Sequence, residues 1–111
     1  MRALAVTTSG KRLSSVPEVP SMSEAGVPGM VIDAKYGLVG PAGLPRAVVT
    51  RLHGEVVKAL TVQSVKERYA AQDAELVGNS PEEYAGLIRN EVRRWAEVIK
   101  TSGITLKSQN P

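Results

Sequence analysis

Apolar residues recur every three to four positions in two long segments, which predicts two amphipathic helices. The first is expected from Pro45 to about Leu60, with apolar positions at Val48, Val49, Leu52, Val56, Val57 and Leu60. The second is expected over 81–101, with its stripe at Tyr84, Leu87, Ile88, Val92, Trp95, Val98 and Ile99. Ser80 and Glu83 form the pattern of a capping box at its start, and Gly103 is placed to end it.

Shorter apolar runs fill the rest of the chain and predict three strands. The runs are "ALAVT" at 3–7, "MVIDAKYGLV" at 30–39 and "AELVG" at 74–78. A short helix is predicted at 21–26 and a further one at 63–71. The order strand, helix, strand, helix, helix, strand, helix predicts an α/β fold, a layered sheet with flanking helices, in a single domain over 1–111.

The composition fits this fold class and narrows the possible functions. Hydrophobic residues make up 42% of the chain but aromatic ones only 4%, so the core depends on branched aliphatic residues, as in buried parallel sheets. The absence of cysteine excludes disulfides, thiolate nucleophiles and cysteine-ligated metals. No run approaches the roughly 20 apolar residues of a membrane-spanning helix, and the apolar run Ala3–Val6 is too short for a secretory signal peptide.

No combination of residues in the sequence predicts catalysis. His53 is the only histidine, and no partner for acid–base chemistry is evident beside it. Glu82 and Glu83 are explained by helix capping and the helix dipole. We therefore expect no enzyme activity, no catalytic residues, no metal site and no cofactor.

The basic residues do not predict a nucleic-acid site. The net charge is +3, but the 14 Lys and Arg are interleaved with 11 Asp and Glu. Arg93 and Arg94 lie beside Trp95, a combination that nucleic-acid sites use. Trp95 belongs to the apolar stripe, however, and Glu91 and Glu97 interrupt the positive charge, so we expect no nucleic-acid partner.

The glycine-rich stretch "YGLVGPAGLPRAVV" at 36–49 joins a predicted strand to a predicted helix, as phosphate-binding loops do. It lacks the lysine and hydroxyl of a P-loop and the G-x-G-x-x-G of a dinucleotide site. Pro45 also removes one amide that could bind an anion. The stretch is therefore expected to be a structural corner.

Four segments, in order, resemble one protein family. They are "RALAVTTSGKR", "VPEVPSMSEAGVPGM", "YGLVGPAGLPRAVVTRL" and "NSPEEYAGLIRNEVRRWAEVIKTSGI", and together they reach from Arg2 to about Ile104. Their order and spacing are similar to the C-terminal part of the substrate-binding receptors of tripartite tricarboxylate transporters, the Bug-type extracytoplasmic solute receptors. Two positions depart from the family pattern: Lys35 replaces a common aromatic residue, and Leu44 replaces a threonine expected to cap the following helix.

The resemblance implies a partial lobe of a periplasmic-binding-protein-like fold. In such receptors two α/β lobes close on a small carboxylate, and the stretch like "RALAVT" is a strand that crosses back to the first lobe, which the following residues complete. The resemblance thus implies a periplasmic solute-binding receptor, or a truncated part of one, with a carboxylate ligand and membrane transporter subunits as partners. The residues it places near the ligand are Thr7, Thr8, Lys35 and Tyr36.

The glycine-rich loops that hold the ligand in the family have no counterpart in this sequence, so poor carboxylate binding by the chain alone is expected. The strand at 3–7 would also lack its sheet neighbours. Exposed sheet edges favour association. This leaves a second hypothesis open: a stand-alone α/β interaction module that forms homo-oligomers through its sheet edges.

Overall fold

Three helices form the regular secondary structure of residues 1–104, the part of the chain that this computed structural model describes. They are α1 (Arg46–Thr61), α2 (Gln63–Ala70) and α3 (Pro81–Ser102). α1 and α2 pack against each other and are separated only by Val62, whose extended backbone ends the first helix and begins the second. The three longer helices predicted from the sequence are thereby confirmed, each to within one residue at its ends.

The ends of α3 follow the predicted capping pattern. The Ser80 hydroxyl accepts a hydrogen bond from the Glu83 amide at 3.2 Å, and the Glu83 carboxylate accepts one from the Ser80 amide at 2.8 Å. Gly103 ends the helix with φ of 67°, a left-handed conformation that suits glycine. α1 begins differently, because Pro45 is its N-cap and no side chain caps it. Leu44 therefore lies one position before the cap, so the expectation that residue 44 would occupy the capping position is wrong.

The short helix predicted at 21–26 is wrong, because these residues form one hydrogen-bonded turn. Its capping box is present: the Glu24 carboxylate accepts from the Ser21 amide at 2.8 Å. Gly26 then takes φ of 89°, and the Val27 amide donates to the Met22 carbonyl at 2.9 Å, which closes the turn as at a helix end. Because the capping residue Ser21 and the terminating Gly26 are only five residues apart, a second helical turn does not fit between them.

The predicted sheet is not formed within residues 1–104. One parallel bridge joins Val6 to Ser21, through hydrogen bonds from the Val6 amide to the Pro20 carbonyl (2.8 Å) and from the Met22 amide to the Val6 carbonyl (2.9 Å). The segments predicted as strands at 30–39 and 74–78 belong to no ladder among the described residues. A strand needs a neighbour for its backbone groups, and these segments do not pair with one another.

Two polar clusters hold the segment 9–29 in place. Arg12 donates to both carboxylate oxygens of Glu24, at 3.0 to 3.2 Å. This pairing, together with the Ser21 amide, lowers the pKa of Glu24 to about 2. Asp73, which follows α2 with φ of 52°, accepts from the amides of Ser14 and Ser15. Hydrogen bonding to the Ser15 side chain, and secondly to the Ser15 and Ser14 amides, lowers the pKa of Asp73 as well.

Very little of the chain is buried. Among the described residues Val19, 6% exposed, is the only buried hydrophobic residue. The radius of gyration is 17.9 Å, whereas a compact domain of this length has about 13 Å. The accessible surface is 9458 Å², against about 5,900 Å² for a compact protein of this mass. The described helices therefore bury no substantial hydrophobic core of their own.

Candidate functional site

Thr7 ties the start of the chain to the segment that carries Lys35 and Tyr36. The Thr7 hydroxyl donates to the Ile32 carbonyl at 2.9 Å, and the Ile32 amide donates to the Thr7 carbonyl at 3.0 Å. Two of the stretches predicted to contact a ligand are thus neighbours, although they are 25 residues apart in sequence. Because its proton is used toward Ile32, the Thr7 hydroxyl can offer a ligand only its oxygen lone pairs.

Thr8 lies in a local turn directly after this contact. Its hydroxyl donates to the Lys11 carbonyl, and its own carbonyl accepts from the Gly10 amide at 2.8 Å. Gly10 has φ of 78°, which only glycine adopts readily. The Thr8 side chain therefore stabilises the turn, and its hydroxyl oxygen remains able to accept a hydrogen bond.

Lys35 is held by an acid of α3. Its Nζ lies 3.6 Å from Oε1 of Glu91, and about one third of each side chain is exposed. The other carboxylate oxygen, Oε2, accepts a hydrogen bond from Trp95 Nε1 at 3.1 Å. Such a half-exposed pair adds little to stability, and it places a carboxylate beside the ammonium group. Lys35 can still offer its remaining donors to an anion.

Tyr36 projects into solvent from a backbone that is itself anchored. Its side chain is 93% exposed. At the next residue, Gly37, a β-carbon would lie 2.3 Å from the Tyr84 hydroxyl oxygen and 2.4 Å from the ring carbon that carries it. The Tyr84 ring therefore packs directly against the Gly37 backbone. This contact fixes the position from which Tyr36 extends.

Arg94 provides a further attachment of this segment to α3, and sequence reasoning missed it. Its guanidinium donates to the Val31 carbonyl at 2.7 Å and lies 5.7 Å from the centre of the Trp95 ring. Glu91 and Arg94 follow Tyr84 by seven and ten residues, which is about two and three helical turns. All three side chains therefore lie on the face of α3 that contacts the segment 31–37. This spacing could have indicated from the sequence that the three residues share one face of α3. The sequence does not show, however, which segment of the chain that face contacts.

A shallow groove of about 410 Å³ lies between the beginnings of α1 and α3. It is lined by Leu44, Arg46, Val49, Thr50, His53, Ser80, Pro81 and Glu82. Arg46 and Glu82 pair across it at 3.4 Å, and both side chains are mostly exposed. His53 Nε2 lies 3.4 Å from the Gly78 carbonyl, which is its only hydrogen-bond partner among the described residues. None of the four predicted ligand residues lines this groove.

Within residues 1–104 no group of three metal-binding side chains is arranged to hold a metal ion. Of the helices in this described part, none is both long enough and apolar enough to cross a membrane. The chemistry available around Thr7, Thr8, Lys35 and Tyr36 is thus one cation and several hydroxyl groups. Of these groups, only the Lys35 ammonium and the Tyr36 hydroxyl have protons left to donate, because the Thr7 and Thr8 hydroxyls already donate to backbone carbonyls.

Comparison with known proteins identifies the family. The family described as "Tripartite tricarboxylate transporter family receptor" matches residues 1–104. The chain is 35% identical to Protein BugT of Bordetella pertussis over 107 residues, which cover 96% of this chain and 32% of BugT. A relative from a Pseudomonas species, the "UPF0065 protein in tcbD-tcbE intergenic region", is 39% identical over 100 residues, which cover 89% of this chain and 30% of that protein.

Comparison with solved structures points to the same family. It superimposes on the periplasmic binding protein BugD with a TM-score of 0.82 and 30% identity, over 93% of this chain and 35% of BugD. The chain therefore belongs to the tripartite tricarboxylate transporter receptor family, whose members are substrate-binding proteins and not enzymes. It spans about one third of the length of the relatives that it matches.

Proposed function

We propose that this chain forms the C-terminal part of a periplasmic receptor that binds a small carboxylate for a tripartite tricarboxylate transporter. The observation that carries the proposal is the family match over residues 1–104 together with the superposition on BugD at a TM-score of 0.82. The transporter's membrane subunits are the expected partners of the loaded receptor. The periplasm is the expected location, since BugD is described as a periplasmic binding protein.

In this proposal the layered sheet exists in the complete receptor. The segment 3–7 is the strand that crosses from the second lobe to the first, and 30–39 and 74–78 are strands of the first lobe. The hydrogen bonds between Thr7 and Ile32 support this arrangement, because they join two of these segments side by side. α1 and α3 then cover one face of the sheet.

Tyr36 is the residue that we assign to the ligand most directly. Its exposed hydroxyl can donate a hydrogen bond to a carboxylate, and the Gly37–Tyr84 contact holds its backbone in place. Lys35 contributes positive charge beside it while paired with Glu91. Thr7 and Thr8 offer hydroxyl oxygens that accept hydrogen bonds from ordered water or from a ligand hydroxyl.

A stand-alone module that forms homo-oligomers is the less favoured function. The match to a receptor family extends over the described residues 1–104, and the superposition on BugD covers 93% of the chain, which supports the receptor over a separate module. Its self-association would also leave the anchored, exposed Tyr36 without a role.

Calorimetry on a receptor chimera tests this function. In the chimera this chain replaces the matching third of BugD, and succinate and citrate serve as the carboxylate probes. We expect saturable binding of at least one probe and about tenfold weaker binding after Tyr36→Phe, the loss of one hydrogen bond to a charged group. Tyr69→Phe, at an exposed tyrosine on α2, is the matched control and should bind as the parent does. Equal affinity of the Tyr36→Phe variant and the parent would refute the assignment of Tyr36.

A further inference from the structure

Glu91 of α3 lies beside Lys35, the one cationic residue among the four candidate ligand residues. Its Oε1 is 3.6 Å from Lys35 Nζ, and about one third of each side chain is exposed to solvent. A ligand from solvent can therefore reach the ammonium group while Glu91 is next to it. Any carboxylate that pairs with Lys35 meets the Glu91 carboxylate at the same place.

Further contacts on both carboxylate oxygens keep Glu91 where it is. Its Oε2 accepts a hydrogen bond from Trp95 Nε1 at 3.1 Å. Its Oε1 lies 4.0 Å from one guanidinium nitrogen of Arg94, and another nitrogen of that group donates to the Val31 carbonyl at 2.7 Å. Glu91 therefore retains two partners when Lys35 turns toward a ligand, and its negative charge stays beside the ammonium group.

The distance between Glu91 and a bound carboxylate is limited by the ammonium group that they share. The pairing oxygens of the two carboxylates each lie about 3 to 4 Å from the same nitrogen, so they are at most about 7 Å apart. This separation is shorter than the Debye length of about 8 Å at physiological ionic strength, so salt screens the repulsion only in part. The repulsion rises with the number of negative charges on the ligand.

The charges around Lys35 nearly balance. Lys35 and Arg94 supply two positive charges, and Glu91 offsets one of them. The attraction that this cluster exerts on an anion is thereby reduced, and the reduction is largest for the ligand with the most negative charge. An unfavourable charge placed against the wrong ligand is a common source of specificity.

We propose that Glu91 is a specificity-determining residue of the candidate site, which lowers the affinity for tricarboxylates more than the affinity for dicarboxylates. It acts through its charge on Lys35 and on the additional carboxylate, without a hydrogen bond to the ligand. The proposal rests on the proposed function, and it names the property that the same site selects in its ligand, a low negative charge.

Calorimetry on the BugD chimera tests this role by comparing succinate and citrate, which near neutral pH carry two and three negative charges. Glu91→Gln removes the charge and keeps an oxygen that can accept from Trp95 Nε1. We expect it to tighten succinate binding about twofold and citrate binding about fivefold, within the range that an exposed ion pair contributes. Glu91→Asp keeps the charge and should leave the ratio of the two affinities unchanged.

Three further variants separate the charge from a structural role. Glu91→Ala removes the charge and the contact with Trp95 together, and it should change the ratio of affinities in the same direction as Glu91→Gln. In a Lys35→Gln background, Glu91→Gln should have no effect, because no ammonium group then brings the ligand beside residue 91. Glu97→Gln removes the same charge from an exposed site about 9 Å further along the axis of α3, and it should change neither affinity.

Several results would overturn the proposal. These are equal effects of Glu91→Gln on the two probes, an effect that persists without Lys35, binding of citrate alone by the parent chimera, and citrate that still shows no binding after Glu91→Gln while succinate binds. Loss of binding of both probes in Glu91→Gln and Glu91→Ala alike would assign Glu91 a structural role instead. Failure of the proposed function is a different result, because the parent and all variants would then bind neither probe.

Discussion

The Tyr84 ring lies so close to Gly37 that residue 37 has no room for a side chain. A β-carbon there would come within 2.3 to 2.7 Å of three ring and hydroxyl atoms of Tyr84. The contact joins the first turn of α3 to the segment that carries Lys35 and Tyr36. It therefore connects the best-defined helix of the chain to the candidate ligand residues.

Gly37→Ala should destabilise the receptor chimera by about 1 to 3 kcal/mol, because the added methyl group overpacks the contact with Tyr84. In a Tyr84→Ala background the same substitution should have little effect, since the obstructing ring is gone. Urea unfolding of the four proteins of this double-mutant cycle measures the coupling.

Gly54→Ala is the control for this series. Gly54 lies inside α1, and a β-carbon there would meet nothing within 4 Å. Alanine should therefore stabilise the helix by about 0.5 to 1 kcal/mol, the opposite sign to Gly37→Ala. Equal effects of the two substitutions, or an undiminished Gly37→Ala effect after removal of Tyr84, would contradict the proposed packing.

The helices could be predicted from the sequence because the apolar spacing and the capping interactions that stabilise each helix lie within its own segment. The apolar spacing of α1 and the Ser80–Glu83 capping box with Gly103 lie within single segments. The contacts of Tyr84 with Gly37 and of Arg94 with the Val31 carbonyl could not be predicted, since they depend on how α3 meets a segment more than 40 residues away. For the candidate site, the sequence predicted Lys35 as a ligand residue, which stays a prediction, and it did not show that Glu91 of α3 pairs with it.

Within residues 1–104 the predicted sheet does not form, and the reason is physical. The segments 30–39 and 74–78 have the composition of buried strands, and that prediction did not consider where their neighbours would come from. Extended segments without partners keep their backbone in solvent. The pattern of Leu38 and Val39, apolar on consecutive positions, signals burial on both faces, which requires more layers than residues 1–104 provide.

Ser80→Ala should destabilise the chimera by about 1 kcal/mol, because the hydroxyl that caps α3 is lost. Ser80→Gly should cost only a few tenths of a kcal/mol. The Ser80 amide and hydroxyl are also the main cause of the lowered pKa of Glu83, with the nearby charge of His53 a smaller contribution. Ser80→Ala should therefore raise the pKa of Glu83, as measured by NMR titration. Ser64→Ala, within α2, is the control and should change neither quantity; equal destabilisation by both variants would contradict the capping role.

The pair formed by Arg12 and Glu24 should make the 9–29 segment sensitive to acid. The pKa of Glu24 lies at about 2, below its ordinary 4.5, chiefly because Arg12 donates to it and secondly because the Ser21 amide does. A carboxylate whose pKa is lowered by folding stabilises the folded state above its unfolded pKa. This contribution should be present above pH 4.5 and be lost as the pH falls toward 2.

NMR titration of the Glu24 carboxyl group measures this effect. Arg12→Gln should move the pKa of Glu24 upward toward 4.5, and Ser21→Ala should move it by less, since its amide donor is retained. Arg51→Gln, on α1 and outside the cluster, should leave it unchanged. A Glu24 that titrates near 4.5 in the unmodified protein would show that the ion pair is not formed.

The central claim is that this chain carries part of a carboxylate site and that the receptor portion outside the matched third supplies the rest. Parallel calorimetric titrations of succinate and citrate into the isolated chain and into the BugD chimera test it most directly. We predict saturable binding by the chimera and no detectable binding by the isolated chain. Micromolar binding of either carboxylate to the isolated chain would contradict the account.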